Sequence, residues 1–243
     1  MRLQDKRAVV VGGGTGIGLG IARAFAAEGC QVVIAGRRED KLREAAAAWQ
    51  DEPQLLVHPV DVADRASVLK LFAWATEQLG QIDIMVNSAG TNLRTRSMAE
   101  MTPQQWDQVL AINATGAYNC LYAVLPQMRA RRDGLIIQVS SMSGKRALTL
   151  GGVAYCASKF AMTALGTTVW NEEAEGGVRV TNIYPGEVNT PLLESRPQPV
   201  SDERKAAMLQ PEDVGDLAVA IACLPPRAHV AEVLIKPTVQ QYV

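Results

Sequence analysis

A tyrosine and a lysine stand four residues apart, as Tyr155 and Lys159, at the start of a segment with the apolar periodicity of a helix. Side chains at positions i and i+4 lie on one face of a helix, so we expect the phenol and the ammonium group to be neighbours. A phenol with a pKa of about 10 is a poor base at neutral pH, but a nearby positive charge favours the phenolate. The pair is a candidate for proton transfer, although by itself it also fits an ordinary contact on a helix surface.

Two serines follow a short apolar run upstream of this pair. Ser140 and Ser141 come directly after residues 136–139, whose sequence Ile-Ile-Gln-Val predicts a buried strand. Open α/β sheets bind ligands outside the carboxyl ends of their strands, so hydroxyl groups at this position can hold a carbonyl oxygen. Taken alone, the two serines could equally mark an ordinary strand end.

A glycine-rich turn, Gly12-Gly13-Gly14-Thr15-Gly16-Ile17-Gly18, follows the first predicted strand and leads into an amphipathic segment. Glycines permit a tight turn and let a pyrophosphate approach the backbone, and a helix N-terminus offers free N–H groups to an anion. The turn therefore predicts a dinucleotide site. The alternative is a turn that only connects a strand to a helix.

Two arginines, Arg37 and Arg38, follow Gly36 at the end of the second predicted strand. Dinucleotide folds usually place an acidic residue there to bind the ribose hydroxyls. Guanidinium groups instead form charge-assisted hydrogen bonds with a 2′-phosphate, which a carboxylate would repel. The position favours NADP(H) over NAD(H), which stays possible. In the alternative interpretation both arginines are solvated charges that pair with Glu39 and Asp40.

Short runs rich in Val and Ile alternate with longer helical stretches, which is typical of βαβ units around a parallel sheet. None of the runs shows strict polar alternation, as expected for strands that helices cover on both faces. The sequence predicts an α/β fold with one doubly wound, seven-stranded parallel sheet. Its strands are expected at residues 7–11, 31–35, 54–59, 83–87, 135–140, 179–184 and 233–236.

Residues 1–243 are interpreted as a single domain, because no linker-like stretch divides them. Thr102, Pro103 and Gln105 form a capping signal for a long helix that reaches about Arg132. Residues 189–210 carry three prolines and weak periodicity, so we expect a mobile connection there that closes over a substrate.

The bulk composition favours a small-molecule partner. Lys plus Arg number 24 and Asp plus Glu number 25, so no net field attracts nucleic acid or a membrane surface. The four cysteines show no paired spacing, and the two histidines lie far apart, so neither a disulfide framework nor a metal site is expected. The first residues lack the apolar stretch of a signal peptide, which favours a cytoplasmic location.

Together these motifs resemble those of the short-chain dehydrogenase/reductase family. The glycine turn is followed in order by Asn87-Ser88-Ala89-Gly90, Asn113, Ser141, Tyr155-x-x-Ser158-Lys159 and Pro185-Gly186, and the resemblance runs from about residue 6 to 190. It implies a Rossmann-type fold and an oxidoreductase that moves a hydride between a nicotinamide and a carbonyl or alcohol carbon. It also implies self-association as a homotetramer or a dimer.

The resemblance further implies a role for each matching residue. Tyr155 would be the general acid/base, Lys159 would lower its pKa and hold the nicotinamide ribose, and Ser141 would orient the substrate oxygen. Asn113 would support a water-linked proton relay. The residues implied in cofactor binding, besides Tyr155, Lys159 and the glycine turn, are Arg37, Arg38, Asp61, Val62, Asn87, Ala89, Gly90, Pro185, Gly186, Val188 and Thr190.

The substrate stays open at this point among 3-oxoacyl thioesters, ketones, sugars and hydroxy acids. The ending Pro237-Thr238-Val239-Gln240 is similar to a subgroup that includes dehydrogenases of small β-hydroxy acids. Arg94 and Arg96 could face an acidic substrate, although arginines in a polar loop are more often solvated. Two rival functions are a noncatalytic NADP sensor and a sugar-nucleotide epimerase or dehydratase, and the latter normally needs a larger C-terminal region.

Overall fold

The computed structural model describes residues 1–241, which form one sheet of seven parallel strands in the order β3-β2-β1-β4-β5-β6-β7. Each predicted strand is present, with ends within two residues of the expected positions. The doubly wound parallel sheet predicted from the sequence is therefore confirmed. The strands are β1 Arg7–Val11, β2 Gln31–Gly36, β3 Leu56–Pro59, β4 Ile84–Asn87, β5 Gly134–Val139, β6 Val178–Pro185 and β7 Glu232–Ile235.

Helices surround the sheet and bury both of its faces, which explains why the strand sequences do not alternate between polar and apolar residues. On β1, Ala8 and Val10 join one apolar cluster, whereas Val9 and Val11 join the other. The α-helices of the described residues are α1 Gly16–Ala27, α2 Glu39–Ala47, α3 Arg65–Leu79, α4 Pro103–Leu110, α5 Gly116–Arg131, α6 Val153–Glu173, α7 Asp202–Ala206 and α8 Pro211–Ala222. Residues of α1, α2 and α8 belong to the first cluster and residues of α3, α5 and α6 to the second.

The strand order reverses between β1 and β4, which lie side by side at the centre of the sheet. Loops that leave such neighbours at their carboxyl ends turn to opposite faces and open a crevice between them. The glycine turn follows β1, and Asn87-Ser88-Ala89-Gly90 includes the last residue of β4 and the loop after it. The topology therefore places two of the sequence motifs on either side of the same crevice.

The predicted long helix is present as a continuous stretch from Pro103 to Arg131, and Thr102 and Gln105 form the expected capping box. The helix contains one π-helical turn, Ala111–Thr115, which the sequence analysis did not predict. Among the described residues, this stretch alone is long and apolar enough to cross a membrane, but 56% of its apolar window is buried inside the protein, as in a core helix.

The connection at 189–210 is more ordered than its weak periodicity indicates. It contains a 3₁₀ turn, Pro191–Ser195, and the short helix α7, which Ser201 caps with its side chain. Glu187 forms ion pairs with Arg196 and Arg204 and so ties the middle of the connection and α7 to the end of β6. These contacts between residues 9 and 17 positions apart give the segment a defined path.

Candidate active site

Tyr155 lies in the first turn of α6, beside the end of β5. Helix α6 begins after Gly152, whose φ of 82° is a conformation that favours glycine. Burial raises the pKa of the Tyr155 phenol, while a hydrogen bond from the Ser141 side chain and the charge of Arg96 act in the opposite direction. The predicted neighbours Ser141 and Tyr155 are thus brought together, and the phenol keeps its proton at neutral pH.

Lys159 lies one turn further along α6 and is buried. Its Nζ donates a hydrogen bond to the Val139 carbonyl at 2.9 Å and lies 5.8 Å from the centre of the Tyr155 ring. The same atom lies 3.5 Å from the position that a Cβ on Gly90 would occupy. Burial lowers the pKa of Lys159 to about 7. The ammonium group is therefore at the junction of β5, α6 and the loop after β4, at the centre of the predicted cluster.

Asn113 lies in the π-helical turn and joins this loop to α6. Its Oδ1 accepts a hydrogen bond from Thr91 N at 2.8 Å, and its Nδ2 donates to Thr91 O and to Ser158 Oγ, both at 2.9 Å. Ser158 Oγ in turn donates to the Tyr155 carbonyl at 2.8 Å. The side chain of Asn113 therefore positions the backbone around the tyrosine, and its part in a proton relay stays a prediction. A π-helical turn is often found at functional sites.

The glycine turn can accept a pyrophosphate. Gly12 has a φ of 80°, and a Cβ there would lie 2.6 Å from backbone atoms of Ser88 and Ala89, so a side chain would not fit. Thr15 precedes α1 without capping it through its side chain, which leaves the N–H groups of the first turn free for an anion. Gly16 faces Thr190, whose Cβ would lie 3.1 Å from a Cβ on the glycine.

Arg37 and Arg38 are exposed at the end of β2, and Arg38 is the residue that precedes α2. Glu39 pairs with Arg43 instead, in a bond between positions i and i+4 of α2. Within residues 1–241, neither Arg37 nor Arg38 forms an ion pair with a carboxylate. The interpretation in which these arginines pair with Glu39 and Asp40 therefore finds no support, and both guanidinium groups are accessible to a phosphate.

The other predicted cofactor residues lie along the carboxyl ends of the strands. Asp61 and Val62 follow β3, and the Val62 carbonyl accepts a hydrogen bond from Asn119 of α5 at 2.9 Å. Asn87 ends β4, where its Nδ2 donates to Gln138 Oε1 at 2.9 Å. Ala89 follows in the loop, and its N–H donates to Asn87 Oδ1 at 3.3 Å. These residues lie at the carboxyl edge of the sheet, but none of them lines the cleft beside Tyr155.

That cleft encloses about 150 Å³ between the end of β6, the loop after β5 and the 3₁₀ turn Pro191–Ser195. Seven predicted residues line it: Ile17, Ser141, Tyr155, Pro185, Gly186, Val188 and Thr190. Further lining residues were not among the predicted site residues, and these are Asn92, Ser140, Met142, Ser143, Gly151, Glu187, Arg196 and Gln240, with Arg96 and the leucines Leu148, Leu150, Leu192 and Leu193. The cleft thus joins the catalytic candidates to the end of the dinucleotide crevice.

Comparison with known proteins decides the family. The family model described as short chain dehydrogenase matches residues 6–200. An uncharacterized oxidoreductase of Staphylococcus saprophyticus is 37% identical over 98% of this chain and 99% of its own length. The chain belongs to the short-chain dehydrogenase family. The resemblance seen in the sequence motifs is therefore confirmed.

Solved structures of short-chain dehydrogenases superpose over nearly the whole chain. An alcohol dehydrogenase from the archaeon Thermococcus sibiricus, complexed with 5-hydroxy-NADP, is 26% identical with a TM-score of 0.88, covering 98% of this chain and 99% of its own. The closed form of a serine dehydrogenase complexed with NADP⁺ is 28% identical with a TM-score of 0.87, covering 97% and 96%.

Sequence reasoning missed several residues of the cleft of this short-chain dehydrogenase. Glu187 and Arg196 carry no local motif, and they meet only because the connection after β6 folds back. Gln240 belongs to the noted Pro-Thr-x-Gln ending, and its Oε1 accepts the Glu187 N–H at 2.9 Å. Arg96 was considered as a contact to an acidic substrate but not among the site residues. Its position in the loop after the fourth predicted strand is the sequence signal for such a contact.

Proposed function

We propose that this short-chain dehydrogenase is an NADP(H)-dependent oxidoreductase that interconverts a carbonyl and a secondary alcohol, with Tyr155 as the general acid/base. The observation that carries the proposal is the cleft that brings Ser141 and Tyr155 beside Ile17 of the glycine turn, with the buried Lys159 Nζ 5.8 Å from the centre of the Tyr155 ring. When bound, NADP(H) supplies or accepts a hydride at its nicotinamide ring, and the protein has to hold the substrate oxygen and move one proton.

The proton step follows from the surroundings of Tyr155. Burial raises the pKa of the phenol, so it carries a proton at neutral pH and can donate it to the oxygen of a carbonyl that is being reduced. Ser141 holds the same oxygen through its hydroxyl group. In the oxidation direction the phenolate is required, so the rate of alcohol oxidation is expected to rise with pH.

The preference for NADP(H) rests on Arg37 and Arg38. Both guanidinium groups are exposed beside the end of β2 and form no ion pair within residues 1–241, so they can bind a 2′-phosphate through charge-assisted hydrogen bonds. The two solved relatives described above were crystallised with NADP⁺ or 5-hydroxy-NADP. NAD(H) is the less favoured cofactor in this proposal.

A titration followed by turnover tests the proposal. Purified protein is titrated with NADPH and with NADH by nicotinamide fluorescence, and a panel of carbonyl compounds is then added while the absorbance of the reduced cofactor is followed. We expect tighter binding of NADPH and oxidation of it by at least one carbonyl. Tight binding without turnover across a broad panel would favour a noncatalytic NADP sensor, and no binding of either cofactor would refute the proposal.

Self-association through the helices on one face is part of the proposal. The family resemblance implies a homotetramer or a dimer, and we propose that exposed aromatic side chains of α4, α5 and α6 contact a second copy of the chain. These side chains are Trp106, Tyr118, Tyr122 and Phe160. Sedimentation equilibrium measures the mass in solution, and a monomer at micromolar concentration would contradict this part of the proposal.

A further inference from the structure

Arg96 is a partly buried arginine in the loop after β4, and its side chain connects three separate segments. Its Nε donates to the Leu93 carbonyl at 2.7 Å, and its Nη1 donates to the Leu150 carbonyl. Its Nη2 donates to Ser195, to the carbonyl at 2.9 Å and more weakly to Oγ at 3.4 Å. All of these acceptors are uncharged, so the hydrogen bonds hold the guanidinium group in place without neutralising it.

The positive charge of Arg96 has no carboxylate partner within residues 1–241. The charged residues that line the cleft are Arg96, Arg196 and Glu187. Glu187 is already engaged by Arg196 at 2.7 Å and by Arg204 at 3.0 Å. Burial and the nearby charge of Arg196 both lower the pKa of Arg96. A desolvated charge without a counterion is unfavourable, so the cleft carries a net positive field that an anion would relieve.

Arg96 lines the same cleft as Ser141 and Tyr155, and its charge acts in the direction that lowers the pKa of the Tyr155 phenol. Apolar side chains of Leu148, Leu150 and Leu192 line the same cleft. A ligand that satisfies both ends needs an oxygen at Ser141 and Tyr155, an anionic group at Arg96 and a short apolar body. That body is short because Ser141, Tyr155 and Arg96 line one and the same cleft.

We propose that Arg96 binds the carboxylate of the substrate, so that the enzyme acts on short oxo acids and hydroxy acids. This inference rests on the proposed function and adds the class of substrate. In the reduction, the carbonyl carbon of the oxo acid gains a hydride from NADPH and its oxygen gains the Tyr155 proton, which solvent then replaces. The carboxylate is unchanged, and the products are the hydroxy acid and NADP⁺.

The competing explanation is that Arg96 only holds the three segments together. Both roles predict damage when the arginine is removed, but they differ in which substrates are affected. Loss of a carboxylate contact lowers the turnover of acids and spares neutral compounds of the same shape. Loss of a structural clamp distorts the cleft for both. The test therefore needs pairs of substrates that differ in charge with only a small change in size.

The substrate pairs are 2-oxobutanoate, acetoacetate and levulinate, each with its methyl ester, assayed with NADPH. For the wild-type protein we expect a higher kcat/KM for at least one acid than for its ester. Arg96→Gln is expected to lower kcat/KM for that acid by about 10- to 100-fold, the range for a lost hydrogen bond to a charged group, with less than about threefold change for the ester. Arg96→Lys keeps the charge and is expected to retain more of the acid preference.

Arg227→Gln is the control, because Arg227 carries the same charge but is exposed in the loop before β7, at the amino ends of the strands and away from the cleft. It is expected to behave like the wild type. Equal losses for acid and ester in both Arg96 variants, or a wild-type preference for the esters, would overturn the carboxylate role and leave the oxidoreductase proposal standing. NADPH binding without turnover of any acid, ester or ketone would instead refute the proposed function itself.

Discussion

The buried charge of Lys159 is expected to lower the stability of the folded protein, and the substitution Lys159→Met tests this expectation. Burial holds the pKa of Lys159 at about 7, against 10.5 for the group in water. Since one pKa unit corresponds to about 1.4 kcal/mol, the charged side chain costs the folded state on the order of 5 kcal/mol at pH 6. The hydrogen bond from Nζ to the Val139 carbonyl offsets about 1.5–3 kcal/mol. We therefore expect Lys159→Met to raise the free energy of unfolding by about 2 kcal/mol at pH 6.

The stability of the wild type relative to Lys159→Met is expected to change with pH, and the direction follows from the pKa of Lys159 in the folded and unfolded states. Between pH 7 and 10.5 the unfolded chain keeps the Lys159 proton and the folded state loses it, so the unfolded state binds more protons. The stability of the wild type then rises with pH relative to the variant. From pH 6 to pH 9 the cost of the lysine falls by about 3 kcal/mol. The advantage of Lys159→Met is expected to disappear by pH 9, where the wild type is equally or more stable.

Differential scanning calorimetry of the cofactor-free protein at pH 6 and pH 9 measures this effect. For a chain of this size, about 2 kcal/mol corresponds to about 4–8 °C in Tm. Lys70→Met is the control, because Lys70 is exposed on α3, and it should change Tm little at either pH. A lower Tm for Lys159→Met at pH 6, or a gain of the same size at both pH values, would refute the reasoning.

Two further substitutions test the proposed site. Tyr155→Phe is expected to keep NADPH binding and to lower turnover by about 10²- to 10⁴-fold through loss of acid/base catalysis. Unchanged Tm and NADPH affinity of Tyr155→Phe are the control for folding, and near-normal turnover of this variant would exclude the tyrosine as the acid/base. Arg37→Ala is expected to weaken NADPH binding about 10- to 100-fold and NADH binding little, as measured by fluorescence titration. Arg227→Ala, in the loop before β7, removes the same charge at the amino ends of the strands, and equal losses of both cofactors in Arg37→Ala would contradict a phosphate contact.

The sheet and the family could be predicted from the sequence, because both depend on short motifs of residues that are close together in the chain. A buried parallel strand needs a short apolar run of residues. The residues that follow each such run lie at the carboxyl edge of the sheet, independently of the more distant parts of the chain. Gly12 and Ser141 therefore lie beyond the carboxyl ends of β1 and β5, and Tyr155 and Lys159 follow each other by one turn in α6, as their spacing predicts. The capping box at Thr102 is also local, since its two hydrogen bonds join residues three positions apart.

The tertiary structure decided the features that depend on distant segments. The π-helical turn at Asn113 follows no pattern in the sequence, and its side chain finds its partners in Thr91 and Ser158. The low pKa of Lys159 comes from burial, which depends on every element packed around it. Arg96 reaches the cleft only because the segments at Leu150 and Ser195 supply its acceptors, 54 and 99 positions away. Spacing along the chain determines which residues share an edge of the sheet, whereas burial and charge compensation depend on packing between segments that no local pattern specifies.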